Sequence, residues 1–289
     1  MRKILVLGST GMLGSAVVKE LGAFGFDVQA ASRSFGLIFD ATELRAKELL
    51  LTAGLSPGDY VVNCVGLTKS RIDENSHEDR DLAVKLNVEF PSALAKAAAE
   101  IGIRVIQVAT DCVYSGATGN YDEWSAHDPL DIYGKTKSIG ETPSDSVMHL
   151  RCSLIGPELG RSSLFFEWVR RQPSNAQLNG FTDHKWNGLS SVTFGRVVAG
   201  VIGADLFIPG VQHLVPSDKV SKDELIRLEL RALGRADVLV NAVQSSYSVD
   251  RTLATHNQSL NAALFYAAGY SVIPTIEQMV HELCSGLQS

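Results

Sequence analysis

Close to its N-terminus the chain runs from the apolar stretch Ile4-Leu5-Val6-Leu7 straight into Gly8-Ser9-Thr10-Gly11-Met12-Leu13-Gly14, which opens a segment of helical period. Few folds accept a strand that passes into a helix through three glycines at this spacing. Gly8 allows the tight turn, Gly11 lets backbone N–H groups approach a pyrophosphate, and Gly14 lets the helix pack closely on its strand with its N-terminus toward the anion. Thr10, Met12 and Leu13 share the loop and are expected to face a bound dinucleotide with the glycines.

The first half of the chain continues the same alternation. Strand-length apolar runs at residues 3–7, 27–31, 60–64 and 104–109 are separated by helical patterns at 12–24, 43–51 and 81–101, as in βαβ units of a parallel sheet. The expected fold is α/β: a Rossmann doubly wound parallel sheet with a smaller, discontinuous α/β substrate-binding lobe. Residues 1–155 are assigned to the dinucleotide domain, with a segment near 190–215 returning to it, and 156–190 and 216–289 to the lobe. Ser221-Lys222-Asp223-Glu224 and the stretch from Thr275 to Gln278 carry capping-box chemistry, so a helix starts at each, the second ending near Gly286.

Composition narrows the function classes. The four cysteines (Cys64, Cys112, Cys152, Cys284) show no CxxC spacing, which implies a reducing compartment, and no apolar stretch reaches membrane-spanning length. A cytoplasmic protein without a membrane partner is expected. A net charge of −6 with interspersed acids and bases argues against nucleic acid as a partner. The seven histidines are scattered, so no metal site is expected, and no GxSxG elbow supports hydrolase chemistry.

At the end of the second strand, where an NAD site carries an acidic residue, the chain reads Ser32-Arg33-Ser34. An arginine between two hydroxyls suits a 2′-phosphate, so NADPH (NADP) is the expected cofactor, with NADH left open. Asp40 falls nearer the adenine. Tyr133 and Lys137 stand four residues apart in Tyr133-Gly134-Lys135-Thr136-Lys137, so on a helix they share a face, and the ammonium is expected to lower the phenol pKa. Thr110, at the carboxyl end of the strand at 104–109, is placed to hydrogen-bond a substrate oxygen. Asp111 beside it is grouped with the substrate residues, or caps the turn.

Together these residues resemble the extended short-chain dehydrogenase/reductase superfamily, and within it the dTDP-4-dehydrorhamnose reductase group, over nearly the whole chain. The resemblance rests on Gly8 to Gly14, on Val62-Asn63-Cys64-Val65-Gly66 beside the cofactor, on Asn87, on Thr110 to Gly116 and on Pro129 to Glu141, with weaker similarity at His213 to Ser217 and Asp250 to Leu253. It implies NADPH-dependent reduction of the 4-keto group of a nucleotide-activated deoxysugar, with Thr110, Tyr133 and Lys137 catalytic. Cys64, Val65, Gly66 and Asn87 join the cofactor set. The chain departs from the group where Leu154 follows Arg151-Cys152-Ser153 in place of an aromatic; Trp186 is either the substitute platform for a sugar or base, or simple packing. Arg161, Arg170 and Arg171 either reach a diphosphate or lie on a helix surface. Cys112 stands where the related dehydratases need a carboxylic acid, which argues against elimination. An NAD-dependent epimerase and a non-catalytic subunit like the regulatory subunit of methionine adenosyltransferase are the alternatives, and a homodimer is left open beside a monomer.

Overall fold

A computed structural model describes residues 2–158 and 164–287. In chain order the elements are β1 (Ile4–Leu7), α1 (Met12–Ala23), β2 (Val28–Ser32), β3 (Leu37–Ile38), α2 (Ala46–Thr52), β4 (Tyr60–Asn63), α3 (His77–Val84), α4 (Phe90–Ile101), β5 (Arg104–Ala109), α5 (Ile132–Ile139) and β6 (Val147–Arg151). There follow β7 (Leu154–Ile155), α6 (Phe165–Arg170), β8 (Gln177–Phe181), β9 (His184–Trp186), β10 (Leu189–Ser190), α7 (Ser191–Gly203), β11 (Gly210–His213), β12 (Val220–Ser221), α8 (Lys222–Ala232), β13 (Leu239–Val243), β14 (Val249–Asp250), α9 (Gln258–Ala267) and α10 (Ile276–Ser285).

Seven strands form one sheet in the order β11-β6-β5-β4-β1-β2-β3, and every pairing in it is parallel. From β1 the chain winds outward to β2 and β3, then crosses to β4 and winds the other way. The reversal leaves a crevice at the carboxyl ends of β1 and β4, where doubly wound sheets bind ligands. Successive side chains of a strand point to opposite faces, and both faces are covered. Ile4 and Val6 share a core with Val17 of α1, Phe194 and Val198 of α7, Phe265 of α9 and Met279 of α10. Leu5 and Leu7 pack against Leu50 of α2 and Phe90, Leu94 and Ala98 of α4. Burial on both sides is why β1 reads as an unbroken apolar run.

The polar stretch after β7 forms small pieces: β8 pairs with β13, and β9 lies between β12 and β14. Both capping boxes are present. The Ser221 side chain accepts from Glu224 N while Glu224 reaches back to the Ser221 N–H, and Thr275 and Gln278 do the same for α10.

Two expected helices differ in detail. The pattern at 81–101 is α3 and α4 joined through a π-helical turn at Lys85–Glu89. Pro91 has no N–H to give the Asn87 carbonyl, so the regular ladder is interrupted there. The segment at 43–51 begins as a 3-10 turn, Ala41–Glu43, and is broken by Leu44 at φ +56° before α2 starts.

Candidate active site

The glycine loop lies in the crevice with the geometry its sequence demands. Gly8 has φ +75°, and a Cβ on Gly14 would stand 2.2 Å from the Gly8 carbonyl oxygen. Gly8 N and Ser9 N both donate to Ala31 O, at 2.9 and 3.2 Å, which ties the turn to β2. Neither a capping side chain nor an acidic residue occupies the first turn of α1, and the N–H groups of Thr10, Met12 and Leu13 meet no acceptor among the described residues. An anion would satisfy these donors. The cradle therefore fits a dinucleotide pyrophosphate.

At the end of β2 the Ser32 hydroxyl accepts from Ser34 N (3.2 Å) and Phe35 N (2.9 Å). This local turn leaves Arg33 exposed, with no hydrogen bond or ion pair among the described residues. Its charge reaches Asp40, whose carboxyl is held below the usual range first by bonds from Thr42 and then by Arg33. The guanidinium is free to take a phosphate. On the β4 side, Asn63 Oδ1 accepts from Val65 N at 3.1 Å, and a Cβ on Gly66 would press on Asn87 Oδ1 at 3.2 Å. Asn87 is buried; it accepts from Leu67 N and donates to Leu67 O and the Thr136 hydroxyl. Its bearing on a cofactor thus runs through the loop after Cys64, which it fastens to α5. The Cys64 thiol is pushed up to about 12 by burial.

Helix α5 starts at Asp131, whose carboxylate accepts from Gly134 N at 2.7 Å and pairs with Lys69 at 2.8 Å. Two glycines seat it. A Cβ on Gly134 would lie 2.2 Å from Cys112 O, and one on Gly140 would lie 1.9 Å from Asn87 O. The first contact brings Tyr133 against the Thr110–Cys112 turn, where the Thr110 hydroxyl bears on its phenol. Thr110 also accepts from Cys112 N at 3.2 Å and donates to Asp111 Oδ1 at 3.2 Å. Lys137 is buried and donates to Val108 O at 2.7 Å. Thr110, Asp111, Tyr133 and Lys137 are thus assembled at the carboxyl end of β5.

The electrostatics correct one expectation. Burial raises the Tyr133 phenol above its ordinary value, with Cys112 adding to this and the Thr110 bond opposing it; Lys137 is not a leading influence. Burial also brings the Lys137 ammonium down to about 8, against the pull of Glu141 and Cys64. Desolvation outweighs the ammonium's field even though Tyr133 is only half-buried, while Lys137 is buried outright. At neutral pH the phenol keeps its proton and can donate it.

Beneath α5 lies a buried charge. Arg151 bonds Glu141, the Tyr114 hydroxyl (2.7 Å), His213 Nε2 (2.7 Å) and His127 Nε2 (2.9 Å). His213 Nδ1 donates to Ala254 O, which leaves Nε2 as the acceptor. This cluster joins the end of α5 to β6 and β11. The opposite wall comes from the later segments. Trp186 is buried, its indole N–H donating to the Ser153 hydroxyl at 2.8 Å, and the Lys222 ammonium stands 5.3 Å from its ring centre and 4.2 Å from that of Phe165. Lys222 and Arg251 both act on Asp111, whose carboxyl is raised chiefly by burial. Sequence reasoning did not single out Lys222; its neighbour Ser221 marked a helix start, and nothing local ties residue 222 to residue 111. Arg170 and Arg171 both pair with the buried Glu167, and Arg161 lies outside the described residues.

A seven-stranded doubly wound sheet, a glycine cradle and a Thr-Tyr-Lys set at one sheet edge define a protein of the extended short-chain dehydrogenase/reductase fold. More narrowly, the chain belongs to the RmlD substrate binding domain family, whose model matches residues 1–288. It is 33% identical over 147 residues to the methionine adenosyltransferase 2 subunit beta of Xenopus tropicalis, covering 48% of this chain and 42% of that protein. It is 28% identical over 144 residues to a dTDP-4-dehydrorhamnose reductase of Mycobacterium tuberculosis, covering 48% and 44%. The chain thus spans less than half the length of the curated relatives it matches. The dTDP-4-dehydrorhamnose reductase of Bacillus anthracis, solved in complex with NADP, superposes over 100% of both chains with a TM-score of 0.80 at 18% identity, a likeness of fold.

Proposed function

We propose that this protein is an NADPH-dependent reductase of the 4-keto group of a nucleotide-activated deoxysugar. The observation that carries the reading is the meeting of Thr110, Tyr133 and Lys137 at the sheet edge that also holds the open glycine loop. Gly8 to Gly14, with Thr10, Met12 and Leu13, would hold the pyrophosphate, and Arg33 with Ser32 the 2′-phosphate, while Asp40 and residues 64–66 line the remainder. When bound, NADPH supplies the hydride. Tyr133 then gives its proton to the developing alkoxide, a role that requires the protonated phenol burial maintains. Thr110 donates to the same oxygen and orients the carbonyl, which needs its hydroxyl to turn from Asp111. Lys137 keeps a positive charge beneath the site and is aligned by Val108 O. Trp186, buried in the core and bonded to Ser153, takes the packing role of the two open to it.

The test is NADPH oxidation with a panel of nucleotide 4-keto-6-deoxy sugars, with wild type and Tyr133→Phe compared. The variant is expected to lose about 10²- to 10⁴-fold in rate while still binding NADPH; a variant retaining more than about a tenth of the rate refutes the proton-donor role. Arg33→Asp is expected to weaken NADPH relative to NADH by about tenfold or more, since it replaces a charge-assisted bond with repulsion; unchanged preference in steady-state kinetics would refute the 2′-phosphate assignment.

A second reading has its own support in the 33% identity to the beta subunit of methionine adenosyltransferase 2. On that reading the chain is a dinucleotide-binding regulatory partner. NADPH binding without turnover of any keto sugar would favour it.

A further inference from the structure

Strands β4 and β5 run in register as far as Asn63 and Gln107. Their ladder starts with Arg104 N donating to Asp59 O, so by its alternation the rung after Asn63 would join Val65 N to Val108 O. That rung is not made. Val65 N donates instead to the side chain of Asn63, at 3.1 Å, and the Val108 carbonyl is left outside the ladder. Two side chains take it: Lys137 Nζ donates to Val108 O at 2.7 Å and Gln107 Nε2 at 3.3 Å.

The direction of donation along this chain of amides is fixed from one end. A backbone N–H only donates, so Val65 meets Asn63 Oδ1, and Asn63 is left to donate through Nδ2 to Gln107 Oε1, at 2.8 Å. Gln107 must then turn its own N–H toward Val108 O. Asn63, Gln107 and Lys137 are all buried, so none of them can exchange these partners for water without cost. The contact with Val108 O is the one hydrogen bond of the Lys137 ammonium among the described residues.

We propose that Gln107 is a positioning residue for Lys137. A carbonyl oxygen has two lone pairs; Gln107 occupies one and confines the ammonium to the other. Through Asn63 the same amide ties Lys137 to the loop at residues 64–66. This placing of Lys137 does not depend on a substrate, whereas its value to turnover rests on the reductase reading above.

The test has two arms. In the first, the Gln107 side-chain amide of the wild type is followed by NMR as pH is raised through about 8, where burial places the loss of the Lys137 charge. Glu141, Cys64 and His149 are the titratable groups that act on Lys137; burial pushes Cys64 up to about 12 and lowers His149. The amide is expected to shift with the midpoint of Lys137, and the midpoint to vanish in Lys137→Met. In ¹⁵N-lysine-labelled protein, the Lys137 ammonium signal is expected to move and broaden in Gln107→Met, which keeps the length of the side chain and drops both bonds.

The second arm measures single-turnover reduction of a nucleotide 4-keto-6-deoxy sugar by wild type, Gln107→Met, Lys137→Met and the double variant. Gln107→Met is expected to lower the rate about tenfold with NADP⁺ affinity unchanged, and to add less than about a twofold loss in the Lys137→Met background, because the two act as one unit. An amide that responds to Lys137 in a protein that reduces no keto sugar upholds the positioning and removes the reductase reading. A Gln107 amide indifferent to the Lys137 titration, a Lys137 signal unchanged in Gln107→Met, or the same tenfold loss in both backgrounds overturns the proposal.

Discussion

Arg151 and Glu229 are both sealed from water, one beneath α5 and the other on the inner face of α8. Arg151 meets a carboxylate, a phenol and two imidazoles, and its charge lies 5.3 Å from the Tyr114 ring centre. Neither Glu229 oxygen has a hydrogen-bond partner, and burial, opposed by the charge of Lys222, pushes its carboxyl up to about 8. The charged group is retained where a network satisfies it, and where none exists the group gives up its charge. The joint that fixes α5, and with it Tyr133 and Lys137, is therefore rigid and ionic. On the α8 side the Lys222 ammonium lies over the rings of Phe165 and Trp186, and the Glu229 carboxyl has no hydrogen bond.

The sharpest way to break this contrast is Arg151→Leu. It leaves the Glu141 carboxylate and the His213 imidazole buried without their donor, and a loss of about 3–5 kcal/mol is expected in urea unfolding. A change under about 1 kcal/mol would mean the network is not what holds the helix.

Glu229→Gln tests the other region through pH. The folded-state value, about 8, lies above the ordinary 4.5, so the folded protein holds a proton that the unfolded chain releases. Stability from this proton is complete below about pH 4.5 and is lost as pH rises toward 8, at about 1.4 kcal/mol per pH unit. The wild type is expected to lose on the order of 5 kcal/mol across that window relative to the variant; parallel stability curves would refute it. His213 has the opposite sign. Burial and Arg151 lower it to about 4 from 6.5, so its contribution is present above pH 6.5 and is lost as pH falls toward 4. The two regions weaken at opposite ends of the scale.

The smallest effect comes from Tyr114→Phe, which keeps the ring stacked on Tyr121 at 4.3 Å and removes the acceptor for Arg151 together with the donor to Asp122 O. A loss of about 1.5 kcal/mol is expected, because the donor is charged. Chemical unfolding measures it, and an unchanged midpoint would show that the other partners of Arg151 suffice.

How much of this could be read beforehand differs between the same two regions. The glycine loop, Arg33, and the Tyr133–Lys137 pair lie within short segments whose local geometry is fixed by residue type, so their grouping on one strand–helix turn or one helix face follows from spacing. Gly134 was visible only as the residue after Tyr133; that its missing side chain lets α5 rest on Cys112 O depends on a contact across 22 positions. The π-helical turn at Lys85–Glu89 could have been suspected from Pro91, but a continuous apolar period hid it. The direction of the Tyr133 shift was misjudged because spacing reveals a neighbouring charge and does not reveal the depth of burial around it.

What the sequence determined alone is what short-range sterics and periodicity control: a parallel sheet buried on both faces, a phosphate cradle after its first strand, and a phenol and ammonium on one helix. Only the tertiary structure decided which distant residues meet in the cleft. Phe165, Trp186, Lys222 and Arg251 come from four separate segments, and no local rule relates them. The protonation of Tyr133, Lys137 and Glu229 was decided there too, since desolvation is a property of the whole packed interior.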